Sequence, residues 1–172
     1  MSIELRPFTT EAEMKEYLDF ATNDYGIAMY QAGEYPTLEV SHRASQEEVF
    51  SFYNTPKPGK AHYPFHIYST ADNARAGTLE MVTVERWGML VGFVNFIYIA
   101  PEFRRKGYAM AAMTLMEDEV RKLKLNVIDL NVLIHRAGPQ EMYKRLGYEV
   151  KRRWIGGYAQ HITRVDMRKT LA

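Results

Sequence analysis

The stretch Val94–Met113 reads VNFIYIAPEFRRKGYAMAAM, and the interpretation of the whole chain starts from it. Val94 to Ile99 is rich in β-branched and aromatic residues, the composition of a strand. Pro101 ends that strand, because proline has no N–H to give to a ladder. A basic turn with one glycine follows, Arg104-Arg105-Lys106-Gly107, and a helix is expected behind it. The open N–H groups of a helix start, its dipole and nearby cations together hold phosphate. Gly107 lets the backbone approach a pyrophosphate with no Cβ in the way, and Ala109 keeps the next turn thin. A glycine turn with a solvated basic cluster is the plainer reading. The position directly behind a central strand favours the phosphate reading.

The chain has 172 residues, enough to bury a core, and one domain spanning 1–172 is expected. Hydrophobic residues make up 47% and charged residues 25%, as in ordinary soluble proteins. A net charge of +1 argues against a dedicated nucleic-acid binder, whose phosphate contacts need a basic excess. The absence of cysteine excludes a thiol nucleophile, thiolate metal sites and disulfides. The segment MSIELRPFTT has no apolar signal core and no apolar run reaches the length of a membrane span, so a cytoplasmic location without membrane contact is expected. Twelve tyrosines and ten methionines stand out. They fit tyrosines rimming a core, or a partly polar cleft.

Along the chain, Ile3–Pro7 reads as a strand. Thr10-Glu11-Ala12-Glu13 is a capping box, and Met14, Tyr17, Leu18 and Ala21 continue it as a helix ending near Asn23. Asn23–Ser41, with Gly26, Gly33 and Pro36, reads as a short helix or loop. Ser45-Gln46-Glu47-Glu48 is a second capping box, opening a short helix through about Tyr53. After a loop over Thr55–Gly59 come strands at Phe65–Ser69, Gly77–Glu85 and Met89–Ile99. In the second of these, Leu79, Met81 and Thr83 face away from Glu80, Val82 and Val84. The third is almost wholly apolar, as a strand covered on both faces should be.

The helix after Gly107 carries Ala109, Ala112, Met113, Met116, Val120 and Leu123 on one stripe, with Glu117, Asp118, Glu119, Arg121 and Lys122 mainly opposite. Val127–Ile134 is another apolar strand. Gly138-Pro139 starts a short helix, Gly147 stops it, and Tyr148–Trp154 and His161–Lys169 close the chain as strands. A parallel crossover is read from Met89–Ile99 through the long helix to Val127–Ile134. His62 and His66 invite a metal reading, but four residues of strand span about 13 Å, and no metal is expected.

The segment from Ile97 to Ala109, IYIAPEFRRKGYA, resembles the acyl-CoA-binding motif of the GNAT N-acetyltransferase superfamily. Glu141–Glu149, EMYKRLGYE, resembles that family's second signature, in the usual order and spacing. The resemblance implies an α/β (α+β) fold: a mixed, mainly antiparallel sheet with a splayed central parallel strand pair, flanked by helices. It implies that acetyl-CoA is the acyl-donor cosubstrate. The pantetheine would pair with Ile97, Tyr98 and Ile99. The pyrophosphate would lie on the N–H groups from Arg105 to Met110, within the site Arg104, Arg105, Lys106, Gly107, Tyr108, Ala109 and Met110. Tyr143 matches the tyrosine that protonates the leaving thiolate, and an N–H near Tyr98 would hold the oxyanion.

Three positions depart from the family pattern. Arg136 and Pro139 stand where Asn and Ala are common, and Asn131 stands where some members carry a glutamate base. An ammonium acceptor must lose a proton before it attacks. Glu80, Glu85 and Asp129 are the candidate bases, with Glu80 preferred and a solvated outward carboxylate its alternative. Tyr25, Tyr30, Glu34 and Tyr35 fall where this family builds its acceptor wall.

The function expected is transfer of acetyl from acetyl-CoA to a primary amine by direct attack. The alternatives are a non-catalytic acyl-CoA-binding module, or a macromolecular acceptor, protein or aminoacyl-tRNA. The expected partners are acetyl-CoA and an amine. A homodimer is left open, and nucleic acid and membrane are not expected.

Overall fold

In the computed structural model, which describes residues 2–172, the elements are β1 (Ile3–Pro7), α1 (Glu11–Gln31), α2 (Leu38–Asn54), β2 (Ala61–Ser69), β3 (Ala74–Arg86), β4 (Met89–Ile99), α3 (Tyr108–Lys122), β5 (Val127–Leu133), α4 (Ala137–Arg145), β6 (Glu149–Ile155) and β7 (Ile162–Thr170). A single 3-10 turn, Pro101–Phe103, lies between β4 and α3. The class is the expected mixed one. The seven strands are mainly antiparallel, and β4 with β5 is parallel. Two compact units make up the chain. One comprises the chain up to Thr10, Pro58–Leu130 and Lys169–Ala172; the other comprises Glu11–Lys57 and Asn131–Arg168.

In the first unit the strands run in the order β1-β2-β3-β4-β5. β2 and β3 are longer than their local sequence suggests. Their register extends from Ala61↔Thr83 to Ser69↔Ala74, and the Ala61 N–H donates to Thr83 Oγ1 at 3.0 Å. Cross-strand pairing recruits residues that propensity alone leaves out. Trp87 (φ 51°) and Gly88 (φ 77°) make the two-residue left-handed turn into β4.

β3 is buried without interruption from Ala76 to Thr83, so both of its faces are covered. α3 packs against β1, β3 and β4. It lies on the Met81 side, since a Cβ at Gly92 would come within 2.7 Å of Val120 and 3.6 Å of Met81 Sδ. Met81, Met113, Met116, Val91, Ile128 and Val120 have no exposed surface and form the centre of this unit. Glu117 corrects the helical-stripe reading: it is buried, and both its oxygens accept from Lys169 Nζ at 2.8 Å.

In the second unit α1 runs 21 residues to Gln31, well past the stop expected near Asn23. Gly26 does not break it. A Cβ there would strike the His42 ring, so this glycine permits the approach of α2, and Ser41 Oγ donates to the Gly26 carbonyl at 2.6 Å. α1 instead gives way at Gly33, whose φ is +84°. The second helix also starts earlier than expected. Thr37, in extended backbone, accepts from the Val40 N–H through its side chain. Ser45 therefore lies inside α2 and is buried. A capping box needs a non-helical residue at its first position, and here the chain is already helical. β6 and β7 form an antiparallel hairpin from Glu149↔Arg168 to Ile155↔Ile162, and the Ile134 N–H, just past β5, donates to the Thr163 carbonyl at 2.9 Å.

Gly77 tests the β3–β4 contact. A Cβ there would collide with the Tyr98 carbonyl oxygen, a backbone atom that cannot swing aside. Gly77→Ala is expected to destabilise the protein by about 1–3 kcal/mol, the usual cost of overpacking. The measurement is the urea midpoint, and an unchanged midpoint would mean that the two strands separate freely.

Candidate functional site

The platform begins in β4. Gly92, Phe93 and Val94 pair in parallel with Ile128, Asp129 and Leu130. The antiparallel register with β3 continues to Gly77↔Ile99 and contains one irregularity. Glu80 faces Phe96 while Met81 faces Val94, so Asn95 is an extra residue, a β-bulge. Val91, Gly92 and Val94 are buried, whereas each residue from Asn95 to Ile99 is half-buried. Ile97 shares the Leu79 face, towards α3; Phe96 and Tyr98 share the face of Glu80 and Thr78.

Behind β4 the chain alternates. Arg105 has φ 61° and Gly107 φ 84°, and Gly107 is the N-cap of α3 with no side-chain cap. The first helical bond is Ala111 N–H to the Gly107 carbonyl, at 3.1 Å. The N–H groups of Tyr108, Ala109 and Met110 therefore have no carbonyl within the helix. No acidic residue lies in the first turn, while Arg121 and Lys122 occupy the last, so the dipole is left open to an anion at the N-terminus. The cations divide. Arg104 Nε donates to the Ile99 carbonyl at 2.8 Å, and its guanidinium lies 5.4 Å from the Tyr98 ring centre. Lys106 Nζ donates to the Glu102 carbonyl at 2.8 Å. Those two shape the turn, and Arg105 is left exposed beside it.

The three carboxylates weighed as bases separate sharply. Glu85 is exposed. Asp129 is fully buried and accepts from Arg86 Nε at 3.0 Å, with that guanidinium 4.8 Å from the Phe93 ring centre. Glu80 is also fully buried, not solvated: one oxygen meets His62 Nδ1 at 3.0 Å and the other accepts from Asn95 Nδ2 at 2.6 Å. His62, weighed above only as a metal ligand, thus belongs to a carboxylate cluster that its sequence position could not reveal. His66 instead lies against the Phe8 ring at 4.3 Å. Among the described residues no three His, Asp or Glu side chains form a metal-holding group, and no helix is long and apolar enough to cross a membrane.

In the second unit Tyr143 is buried on α4, edge-on to Tyr148 at 5.8 Å. Burial pushes its phenol up to about 12, with the Arg136 cation pulling weakly the other way. Arg136, at the N-cap of α4, is exposed and 3.9 Å from Asp24; Asn131 is exposed too. Tyr25 and Tyr35 both donate to Glu48, at 2.9 and 3.0 Å. Burial first, and then the Glu48 charge, raises Tyr35 to about 12 and Tyr25 further. Glu34 accepts from the Thr163 hydroxyl and from the Gly157 N–H. Tyr30 is exposed. Glu48 and Thr163 are partners that sequence spacing did not reveal: Glu48 reaches the tyrosines only once α2 packs on α1, and Thr163 comes from a strand near the other end of the chain.

The sequence model described as acetyltransferase (GNAT) family matches residues 25–148. The chain is 34% identical over 124 residues to the catalytic subunit NAA20 of the N-terminal acetyltransferase B complex of Arabidopsis thaliana, covering 71% of this chain and 70% of that one. It is 23% identical over 151 residues to the uncharacterized N-acetyltransferase YycN of Bacillus subtilis, covering 87% and 94%. The crystal structure of YycN superposes with a TM-score of 0.74 at 21% identity, covering 88% of this chain and 94% of that one. The spermidine N-acetyltransferase of Vibrio cholerae, solved with CoA and spermine, gives 0.64 at 18% identity, covering 98% and 95%. At these identities the structural matches establish the shared fold.

The buried phenols predict alkaline behaviour. Tyr143 ionises at about 12 when folded and at about 10 in an unfolded chain. Between those values the unfolded state gives up a proton that the folded state keeps, so stability is intact below pH 10 and declines up to pH 12. Tyr143→Phe should remove a share of that decline on the order of 2 kcal/mol, read as the difference between urea curves at pH 9 and pH 12. Parallel declines in the two proteins would mean that this phenol is not desolvated.

Proposed function

This chain belongs to the GNAT family of acetyl-CoA-dependent N-acetyltransferases, and we propose that it passes the acetyl group directly to a primary amine. The observation that carries this reading is the half-buried end of β4 leading into an uncapped, acid-free helix start. Backbone groups of Ile97, Tyr98 and Ile99 would hold the pantetheine. The N–H groups from Arg105 to Met110 would hold the pyrophosphate, with the exposed Arg105 adding charge and Arg104 and Lys106 bracing the turn. Glu80, the carboxylate preferred from the sequence as the base, is fully buried with both oxygens engaged, so any part it takes in proton removal would run through a neighbouring side chain.

The amine nitrogen attacks the thioester carbonyl carbon and the C–N bond forms, giving a tetrahedral oxyanion that an N–H near Tyr98 would stabilise. The C–S bond then breaks. Tyr143 donates its phenolic proton to the departing thiolate, and the proton left on the new amide nitrogen restores the phenol. A phenol held at about 12 stays protonated at neutral pH and is ready to donate. With no cysteine in the chain, an acyl-thioenzyme intermediate is not available.

The likeness to an N-terminal acetyltransferase subunit supports a peptide α-amine as the acceptor ahead of a polyamine, since the spermidine enzyme shares the fold at lower identity. The test is thiol release from acetyl-CoA with a methionyl peptide, lysine and spermidine. Turnover on at least one is expected. Tyr143→Phe should reduce it about 100-fold while CoA still binds. Binding of CoA with no turnover on any acceptor would make the protein an acyl-CoA-binding module instead. Gly107→Val forces a β-branched residue into φ 84° and should weaken CoA binding at least tenfold, about 1.4 kcal/mol. Unchanged affinity would place the pyrophosphate elsewhere.

A further inference from the structure

We propose that His62 is the general base of this acetyltransferase and that Glu80 and Asn95 are the positioning residues that aim it. The proposal rests on the acetyl-transfer reading and names the side chain that takes the acceptor's proton. Glu80 itself cannot meet an acceptor: its side chain has no exposed surface, and its two oxygens are engaged by His62 and Asn95. The His62 side chain, by contrast, is 22% exposed. A carboxylate accepts hydrogen bonds, so the imidazole nitrogen facing it, Nδ1, carries the proton, and the lone pair resides on Nε2. A buried carboxylate that sets the tautomer and orientation of a histidine is the arrangement that makes imidazole an effective base.

The cluster is also where the chemistry needs it. His62 pairs with Val82 and Glu80 pairs with Phe96, so His62, Glu80, Phe96 and Tyr98 share the sheet face that turns away from α3. Asn95 is the bulge residue at which the half-buried end of β4 begins, and its amide ties Glu80 to that strand. β2 and β4 flank β3 and lie about 10 Å apart, a gap that one imidazole and one amine can span. In the reaction, His62 Nε2 takes one proton from the acceptor ammonium, leaving a neutral amine and an imidazolium. The amine attacks as described above, and the imidazolium releases its proton to water after the acetyl group has moved. A purely structural ion pair is the competing role for the same contacts.

The two roles separate in kinetics and in rescue. With the fastest acceptor among the methionyl peptide, lysine and spermidine, His62→Gln should lower kcat about 100-fold with the KM for acetyl-CoA unchanged. Added imidazole should restore turnover in His62→Ala, since a small base can occupy the space of the missing ring. Glu80→Gln keeps the shape and loses the charge, and should lower kcat about tenfold, again with the KM for acetyl-CoA unchanged. A kcat for His62→Gln within about threefold of wild type would overturn the proposal, as would a loss in His62→Ala that imidazole does not restore while CoA still binds. If the wild-type protein acetylates none of the three amines, the acetyl-transfer reading fails first and the base assignment with it.

Discussion

β4 is held differently along its two halves, and the course of the strand towards α3 depends on that. Its register with β5 covers only Gly92, Phe93 and Val94, while its register with β3 runs on to Ile99. The change falls at Asn95, the extra residue of a bulge, and a buried carboxylate from β3 grips its amide. A bulge increases local twist and re-aims the strand beyond it. The half-buried apolar run Phe96–Ile99 then passes through the Pro101–Phe103 turn and the Arg104–Gly107 turn to the uncapped start of α3. The bulge sets the extended backbone beyond Asn95, and the Gly107 turn separately leaves the first N–H groups of α3 open.

The first unit buries three carboxylates, each with a cation or hydrogen-bond donor against it. Glu117 has Lys169, Asp129 has Arg86, and Glu80 has His62 with Asn95. A buried charge is tolerated only when its oxygens are satisfied. The three pairs differ in what they tie together. Lys169 links the end of the chain to α3, and Arg86 links the end of β3 to the β4–β5 register. The Glu80 cluster joins β2, β3 and β4 on the face away from α3. Of the three, only the Glu80 cluster includes a histidine.

In the second unit, tyrosine and threonine hydroxyls meet carboxylates. Tyr25, within α1, and Tyr35, in the α1–α2 connection, both donate to Glu48 on α2. Glu34 draws the Thr163 hydroxyl and the Gly157 N–H to the same connection. The segment that reads as an irregular loop is thus tied at several points. Its tyrosines serve as donors to carboxylates as well as apolar bulk.

The local sequence alone determined the β4–turn–α3 platform, the crossover to β5 and the α4 stop at Gly147, because strand composition, proline, glycine and helical spacing act within a few residues. The family resemblance picked out Tyr143 in the same way, from contiguous residues. Tertiary structure decided the rest. Gly26 reads as a breaker until α2 is packed against it, and Ser45 reads as a cap until Thr37 has already started the helix. Glu80 reads as a candidate base with a solvated outward carboxylate as its alternative, and His62 only as a metal ligand weighed and set aside, until strand pairing sets them 3.0 Å apart. Those outcomes depend on register and packing between residues distant in the chain, and no local pattern encodes which distant residue will arrive. Val94–Met113 is legible because its pattern is local; the His62–Glu80–Asn95 cluster beside it exists only once three strands have found their register.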